Sequence, residues 1–225
     1  MLRVQSVWTD EKLAAEFTSP ERSICELVFD VKSRTGNTNA LVQSKVYLSQ
    51  NGGLPDCNEF RVFRTEGTIE YVPFSDDFGP MSMSSVIAFI ELMEFELAAG
   101  SDSGAQALVY SSESGRRHFT NAAFLLGAYM IIRLDEKASA VAKRFDVFDG
   151  DLFEGYRDAS CDRPDFRLRL IDCWRGLELG KTLRWVGLPA AGASTWGMIE
   201  PDELRHYESR LNADLHEVIP GKLVA

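Results

Sequence analysis

Between the apolar run Leu108-Val109-Tyr110 and an apolar, helix-forming stretch lies Ser111-Ser112-Glu113-Ser114-Gly115-Arg116-Arg117. A loop that leaves a strand and enters a helix is where backbone N–H groups and an arginine can encircle a phosphate. With a cysteine at the strand end and an arginine six residues on, the thiolate attacks phosphorus. The ring of donors then holds its pKa below the free value of ~8.5. Here Ser111 stands where that cysteine would be, Gly115 supplies the close turn, and Arg117 is kept. A serine hydroxyl is far less acidic than a thiol and needs a neighbouring base. Glu113 would repel a phosphate dianion, and His118 follows where a small hydroxyl residue is usual. No catalytic residue is therefore expected in this loop. Two readings stay open: an ordinary turn, rich in Ser and Gly because turns are, or a residual anion pocket held by Arg117.

Two other segments imitate chemistry. Cys161 and Arg167 repeat the Cys/Arg spacing, but Asp162 and Asp165 would line that loop with negative charge and Pro164 removes a donor. Gly176-Leu177-Glu178-Leu179-Gly180-Lys181-Thr182 resembles a nucleotide-binding loop but is one residue short between its glycines. It follows a helix, so a helix end capped by Gly180 is the expectation. The three histidines, His118, His206 and His216, have no helical pair spacing and no nearby cysteine, so neither metal nor cofactor is expected.

The elements that must position the loop follow from periodicity. Val46-Tyr47-Leu48, Phe60 to Phe63, Thr68 to Val72 and Ala107 to Tyr110 read as strands, with Asn51-Gly52-Gly53 as a turn. Pro80 is expected to open a helix whose apolar stripe is Val86, Ile87, Ile90, Met93 and Leu97. Asn121 to Ile132 reads as a helix buried on nearly all sides. Asp135 is a plausible cap for a helix from Glu136 to Phe145. Further amphipathic helices are expected over Arg163 to Leu179, and from Pro201 to Leu211 with Leu204, Tyr207 and Leu211 packing. Residues 1–44 read as a poorly defined appendage, with one possible helix from Thr9 to Phe17 and a polar turn from Ser33 to Asn39. Residues 45–225 form the domain proper. Early strands, late helices and one strand-loop-helix crossover specify an α/β fold, a central sheet flanked by helices.

Charge and composition narrow the setting. With 34 acidic residues against 24 basic ones among 225, the formal charge is −10, which repels nucleic acid and anionic membranes and favours a basic partner. Four scattered cysteines, without a Cys-x-x-Cys pair, fit reduced thiols in an intracellular compartment, cytoplasm or nucleus. The first residues, Met1 to Thr18, lack a signal-peptide core, and no run approaches the ~20 apolar residues of a spanning helix.

Three stretches, in order, carry a family resemblance. They are Phe74-Ser75-Asp76-Asp77-Phe78-Gly79-Pro80; Asn121-Ala122-Ala123-Phe124-Leu125-Leu126-Gly127-Ala128-Tyr129; and a third set, Arg157-Asp158-Ala159-Ser160, Leu170-Ile171-Asp172-Cys173, His206-Tyr207-Glu208 and Pro220-Gly221-Lys222. Together they are similar to the N-terminal domain of the Cdc-fourteen-type dual-specificity protein phosphatases, over about residues 45–225. The resemblance implies a dual-specificity-phosphatase-like fold without activity, paired with a catalytic domain that follows in the same chain, and a setting in cell-cycle dephosphorylation. That domain also lacks the nucleophile cysteine, in agreement with Ser111.

The resemblance further implies that Asp76 or Asp77 is the vestige of an acid loop, here structural and a candidate cap for the helix at Pro80. It implies binding roles for Asp202, Glu203 and Glu208, beside a groove that favours a basic residue downstream of phosphoserine-proline; Arg205 takes a position usually acidic in the family. The expected function is a specificity or scaffold domain of a protein phosphatase, its partners a catalytic domain, in cis or in trans, and a phosphoprotein substrate. The alternatives are a stand-alone pseudophosphatase that binds a phosphorylated or basic segment, and a weakly active phosphatase. A patch from Leu183 to Trp196 and Ile219 to Ala225 either meets the catalytic domain or folds back on its own domain.

Overall fold

A computed structural model describes residues 24–34, 41–50, 60–73, 75–159, 166–209, 211, 217–219 and 221–224. The expected helix from Thr9 to Phe17, the turn at Asn51-Gly52-Gly53 and the segment from Cys161 to Asp165 lie outside the described residues. The fold is mixed α/β, with a four-stranded sheet, a two-stranded one and five α-helices among the described residues. The chain divides into two compact units: Met1–Thr68, Leu92–Ala123 and Lys143–Glu154 in the first, and Ile69–Glu91, Phe124–Ala142 and Gly155–Ala225 in the second.

The first unit holds the sheet. Its strands, β1 (Ile24–Arg34), β2 (Leu41–Gln50), β3 (Phe60–Phe63) and β4 (Ala107–Ser112), lie in the order β1-β2-β4-β3. β1 and β2 are antiparallel; β4 runs parallel to both β2 and β3. Every residue of β4 is buried, so both of its faces are covered, which is why it reads as a continuous apolar run rather than an alternation. β1 is an element the sequence reading does not contain. Phe29 and Val31 alternate with exposed Asp30 and Lys32, but a register shift between Leu27 and Phe29 breaks the period. Thr68 to Val72, expected as a strand, is not one. Thr68 N–H closes a turn onto the Thr65 carbonyl at 3.0 Å, with Gly67 at φ +73°.

Helix α1 (Met83–Ser103) begins later than Pro80 because Ser82 caps it: the Ser82 hydroxyl accepts from Ser85 N–H at 3.3 Å. Helix α2 (Arg116–Ile132) starts at the loop itself, and every residue from Phe119 to Ile132 is buried, as the sequence requires.

Helix α3 (Ala138–Arg144), which begins in the second unit, is not capped by Asp135, which sits at φ +62°. Instead Glu178 accepts from Ala138 N–H at 2.9 Å. Helix α4 (Leu170–Thr182) starts seven residues later than expected. Leu168 is extended and exchanges backbone hydrogen bonds with Tyr156 (2.9 and 3.3 Å), which leaves Phe166 off the helix and exposed. At its C-terminus the left-handed residue is Arg184, φ +61°, not Gly180. Trp185 N–H reaches Gly180 O at 2.9 Å and Arg184 N–H reaches Lys181 O at 3.0 Å, the paired bonds of a Schellman ending. Lys181 itself donates to Ile131 O (2.7 Å), Ile132 O (3.1 Å) and Asp135 (2.6 Å), so it satisfies the free carbonyls that end α2.

Helix α5 (Pro201–Glu208) opens on proline as expected but ends before Leu211, which is 95% exposed rather than packed. β5 (Glu217–Ile219) and β6 (Leu223–Val224) pair as a short antiparallel ribbon. Of the two expected patch tryptophans, Trp196 is buried and Trp185 is exposed; Leu183, Leu188 and Met198 are likewise exposed. No helix among the described residues is long and apolar enough to cross a membrane.

Candidate functional site

The loop between β4 and α2 lies in the first unit, and its conformation follows from what holds it. Tyr110, just before it, is buried; its ring stacks on Phe63 at 5.0 Å and its hydroxyl meets Thr65 Oγ1 at 2.9 Å. Burial pushes the Tyr110 phenol well above the usual range, so it has no acid-base role near neutral pH.

Ser111 is 1% exposed, and its hydroxyl makes no hydrogen bond within the described structure. Its neighbour in register on β2, Ser49, is equally buried and likewise makes none. Glu113 and Ser114, by contrast, are exposed. Ser111 is therefore closed off from solvent, and no base accepts from its hydroxyl among the described residues.

Three successive loop carbonyls, those of Glu113, Ser114 and Gly115, are engaged by side chains. Gln50, at the end of β2, donates from Nε2 to Glu113 O (3.2 Å) and Gly115 O (3.0 Å). Gly115 has φ +114°, a conformation costly for any side chain, which is why glycine stands there. His118 reaches Glu113 Oε2 at 3.3 Å through Nε2 and Ser114 O at 2.9 Å through Nδ1. Ser112, Glu113 and Ser114 line, with Arg64 and Glu66, a cleft of about 410 Å³. Arg64 lies 3.8 Å from Glu66, so two carboxylates face one guanidinium there and the cleft carries no positive excess for an anion.

Arg117 is not directed to a bare cradle. Its Nε donates to Glu154 Oε1 at 3.0 Å, with both side chains about one-third exposed. Neither Glu154 nor Gln50 is singled out by the sequence; each comes from a segment distant in the chain, and no local spacing links them to the loop.

The remaining predicted residues lie in the second unit, each with its own partner. Asp76 pairs with Arg157 at 3.2 Å. Asp77 accepts from Ser75 N–H at 2.8 Å and from the Tyr71 hydroxyl. The capping bond seen at the start of α1 comes from Ser82. Asp202 pairs with Arg205 one turn along α5, Glu208 accepts from the Ser84 hydroxyl, and Glu203 is exposed in the first turn. Cys173 is a half-buried free thiol whose pKa is pushed up to about 11, chiefly by burial and then by the Asp172 carboxylate. Both effects disfavour the thiolate, the form that acts as a nucleophile. Among the described residues, no group of three or more His, Cys, Asp or Glu side chains is placed to hold a metal ion.

Comparison with known proteins finds a family and several relatives. The family described as dual specificity protein phosphatase, N-terminal half, matches residues 40–180. The chain is similar to dual specificity protein phosphatase CDC14C of Homo sapiens, 29% identical over 163 residues, covering 72% of this chain and 34% of the relative. It is 26% identical over 159 residues to tyrosine-protein phosphatase cdc-14 of Caenorhabditis elegans, covering 69% and 21%. With tyrosine-protein phosphatase CDC14 of Saccharomyces cerevisiae it shares 30% over 149 residues, covering 64% and 27%. The chain thus spans about a third or less of the length of these relatives.

Proposed function

We propose that this chain, which belongs to the family of the N-terminal half of dual specificity protein phosphatases, is a non-catalytic domain that shapes substrate choice for a phosphatase catalytic domain. The catalytic domain is supplied in cis, as a following half, or in trans, and the substrate is an intracellular phosphoprotein. The observation that carries this reading is Ser111, buried at the position where a nucleophilic thiol would have to be exposed. A role in phosphate capture is disfavoured by the carboxylates at Glu113, Glu66 and Glu154 around the same loop.

What the domain offers a substrate is acidic surface. Asp202 and Glu203 stand exposed at the start of α5, and Glu208 at its end, on a chain of formal charge −10. Such a face attracts a basic residue downstream of phosphoserine-proline and repels an acidic one. The salt bridge of Asp202 with Arg205 offsets part of that field, which makes Glu203 the acid with the most effect.

The test is a single-chain fusion of this protein to a catalytic half taken from one of the relatives. Its kcat/KM is measured on two phosphoserine-proline peptides, one with lysine downstream and one with alanine. Glu203→Gln is expected to lower the preference for the lysine peptide by up to about fivefold, since exposed charge pairs are worth ~0.2–1 kcal/mol. Equal preference in the parent fusion and the variant would refute the acidic-face role.

A further inference from the structure

We infer that Glu154 is a built-in occupant of the Arg117 guanidinium, and that the segment Phe145 to Glu154 is a strap that closes the β4–α2 loop to outside phosphate. This goes beyond the proposed specificity role, because it concerns binding at the loop whether or not the domain shapes a substrate groove.

An anion already sits at the first turn of α2, and it belongs to the chain itself. The Glu154 carboxylate meets Arg117 Nε at 3.0 Å. The peptide unit that joins Phe153 to Glu154 is fastened to the same turn through both of its polar groups. Arg116 Nη2 donates to Phe153 O at 2.6 Å, and Glu154 N–H donates to Thr120 Oγ1 at 2.8 Å. That hydroxyl in turn donates to Arg116 O at 2.8 Å. The contact is therefore not a pair of long side chains meeting by chance in solvent, which would be worth little. The carboxylate is delivered by a backbone whose preceding peptide unit is held at both its carbonyl and its N–H.

The strap is anchored by aromatic packing and shaped by two 3-10 turns, Phe145–Val147 and Gly150–Leu152. Phe153 stacks on Phe119 with ring centroids 5.5 Å apart, Phe148 meets Phe119 edge-on at 5.3 Å, and Phe145 stacks on Phe148 at 5.9 Å. Asp149 accepts from Asp151 N–H at 3.0 Å and fixes the second turn. On the opposite flank Gln50 holds the carbonyls of Glu113 and Gly115. An incoming phosphate would have to compete with a tethered carboxylate for the Nε edge of the guanidinium.

The experiment follows loop amide resonances, residues 111–118, during titration with inorganic phosphate. The wild-type protein is expected to show no saturable shift. Glu154→Gln keeps the shape and the hydrogen-bonding capacity but removes the charge, and Glu154→Ala removes the occupant. Both are expected to bind phosphate at least about tenfold more tightly than wild type, a difference of ~1.4 kcal/mol. Arg117→Met in the Glu154→Gln background should abolish the gain. Saturable binding by the wild type, or no gain in either Glu154 variant, would overturn the inference. A gain of binding without turnover leaves the specificity role intact, so the two proposals fail separately.

Discussion

Alanine at position 127 is expected to destabilise this protein, although alanine is the better helix former by about 1 kcal/mol. A Cβ on Gly127 would lie 2.2 Å from Trp174 Nε1, 2.3 Å from Cε2 and 2.7 Å from Cζ2, distances no packed structure tolerates. The indole cannot simply swing aside, because it is 2% exposed and its N–H donates to Phe124 O at 3.2 Å. Moving it forces overpacking, worth ~1–3 kcal/mol, and strains or breaks a buried hydrogen bond. The net loss should be about 2–4 kcal/mol, read as a fall of roughly 5–15 °C in Tm for a chain of this size. Gly176→Ala, on α4 with nothing within 4 Å of its Cβ, is the control and should stabilise slightly. An unchanged or raised Tm for Gly127→Ala would show that the helices α2 and α4 do not approach as described.

The second large effect lies one residue earlier. Leu126 is 0% exposed, within a helix buried throughout from Phe119 to Ile132. Leu126→Asp loses the packing of a leucine, ~2–5 kcal/mol, and buries a carboxyl group with no partner prepared for it. Those costs are comparable to the whole stability of an ordinary domain, ~5–15 kcal/mol. The variant is expected to be insoluble or to lack a cooperative melt, whereas Leu126→Met should cost less than about 1.5 kcal/mol. A soluble, cooperatively melting Leu126→Asp protein would contradict the placement of α2.

Both predictions rest on a helix legible in the sequence from Asn121 to Ile132, because Ala122, Leu125, Leu126, Tyr129 and Ile132 leave little polar face. The first four residues of β4, Ala107 to Tyr110, were legible as an apolar run, and the strand continues through Ser111 and Ser112. Element ends were less legible, since they depend on tertiary partners: Glu178 caps α3 from another helix, and Tyr156 holds Leu168 extended so that α4 starts at Leu170. β1 escaped because its bulge breaks the alternation. In the site, the serine, glycine and arginine of the loop could be read from spacing alone. Their engagement could not, because Gln50 and Glu154 arrive from 63 and 37 residues away and carry no local signal. Asp76 and Asp77 show the converse: the segment is recognisable, yet Arg157, Ser75 and Tyr71 decide what the carboxylates do.

The central claim, that this domain serves a phosphatase without being one, is tested most directly by phosphate release from an aryl phosphate by the purified chain. The account predicts no hydrolysis above the buffer rate. It predicts none from Ser111→Cys either, because a thiol at a position 1% exposed stays closed to substrate, with Glu113 still in the loop. Turnover that scales with protein concentration and disappears in Cys161→Ser would contradict it, and would place the nucleophile in the other Cys/Arg segment.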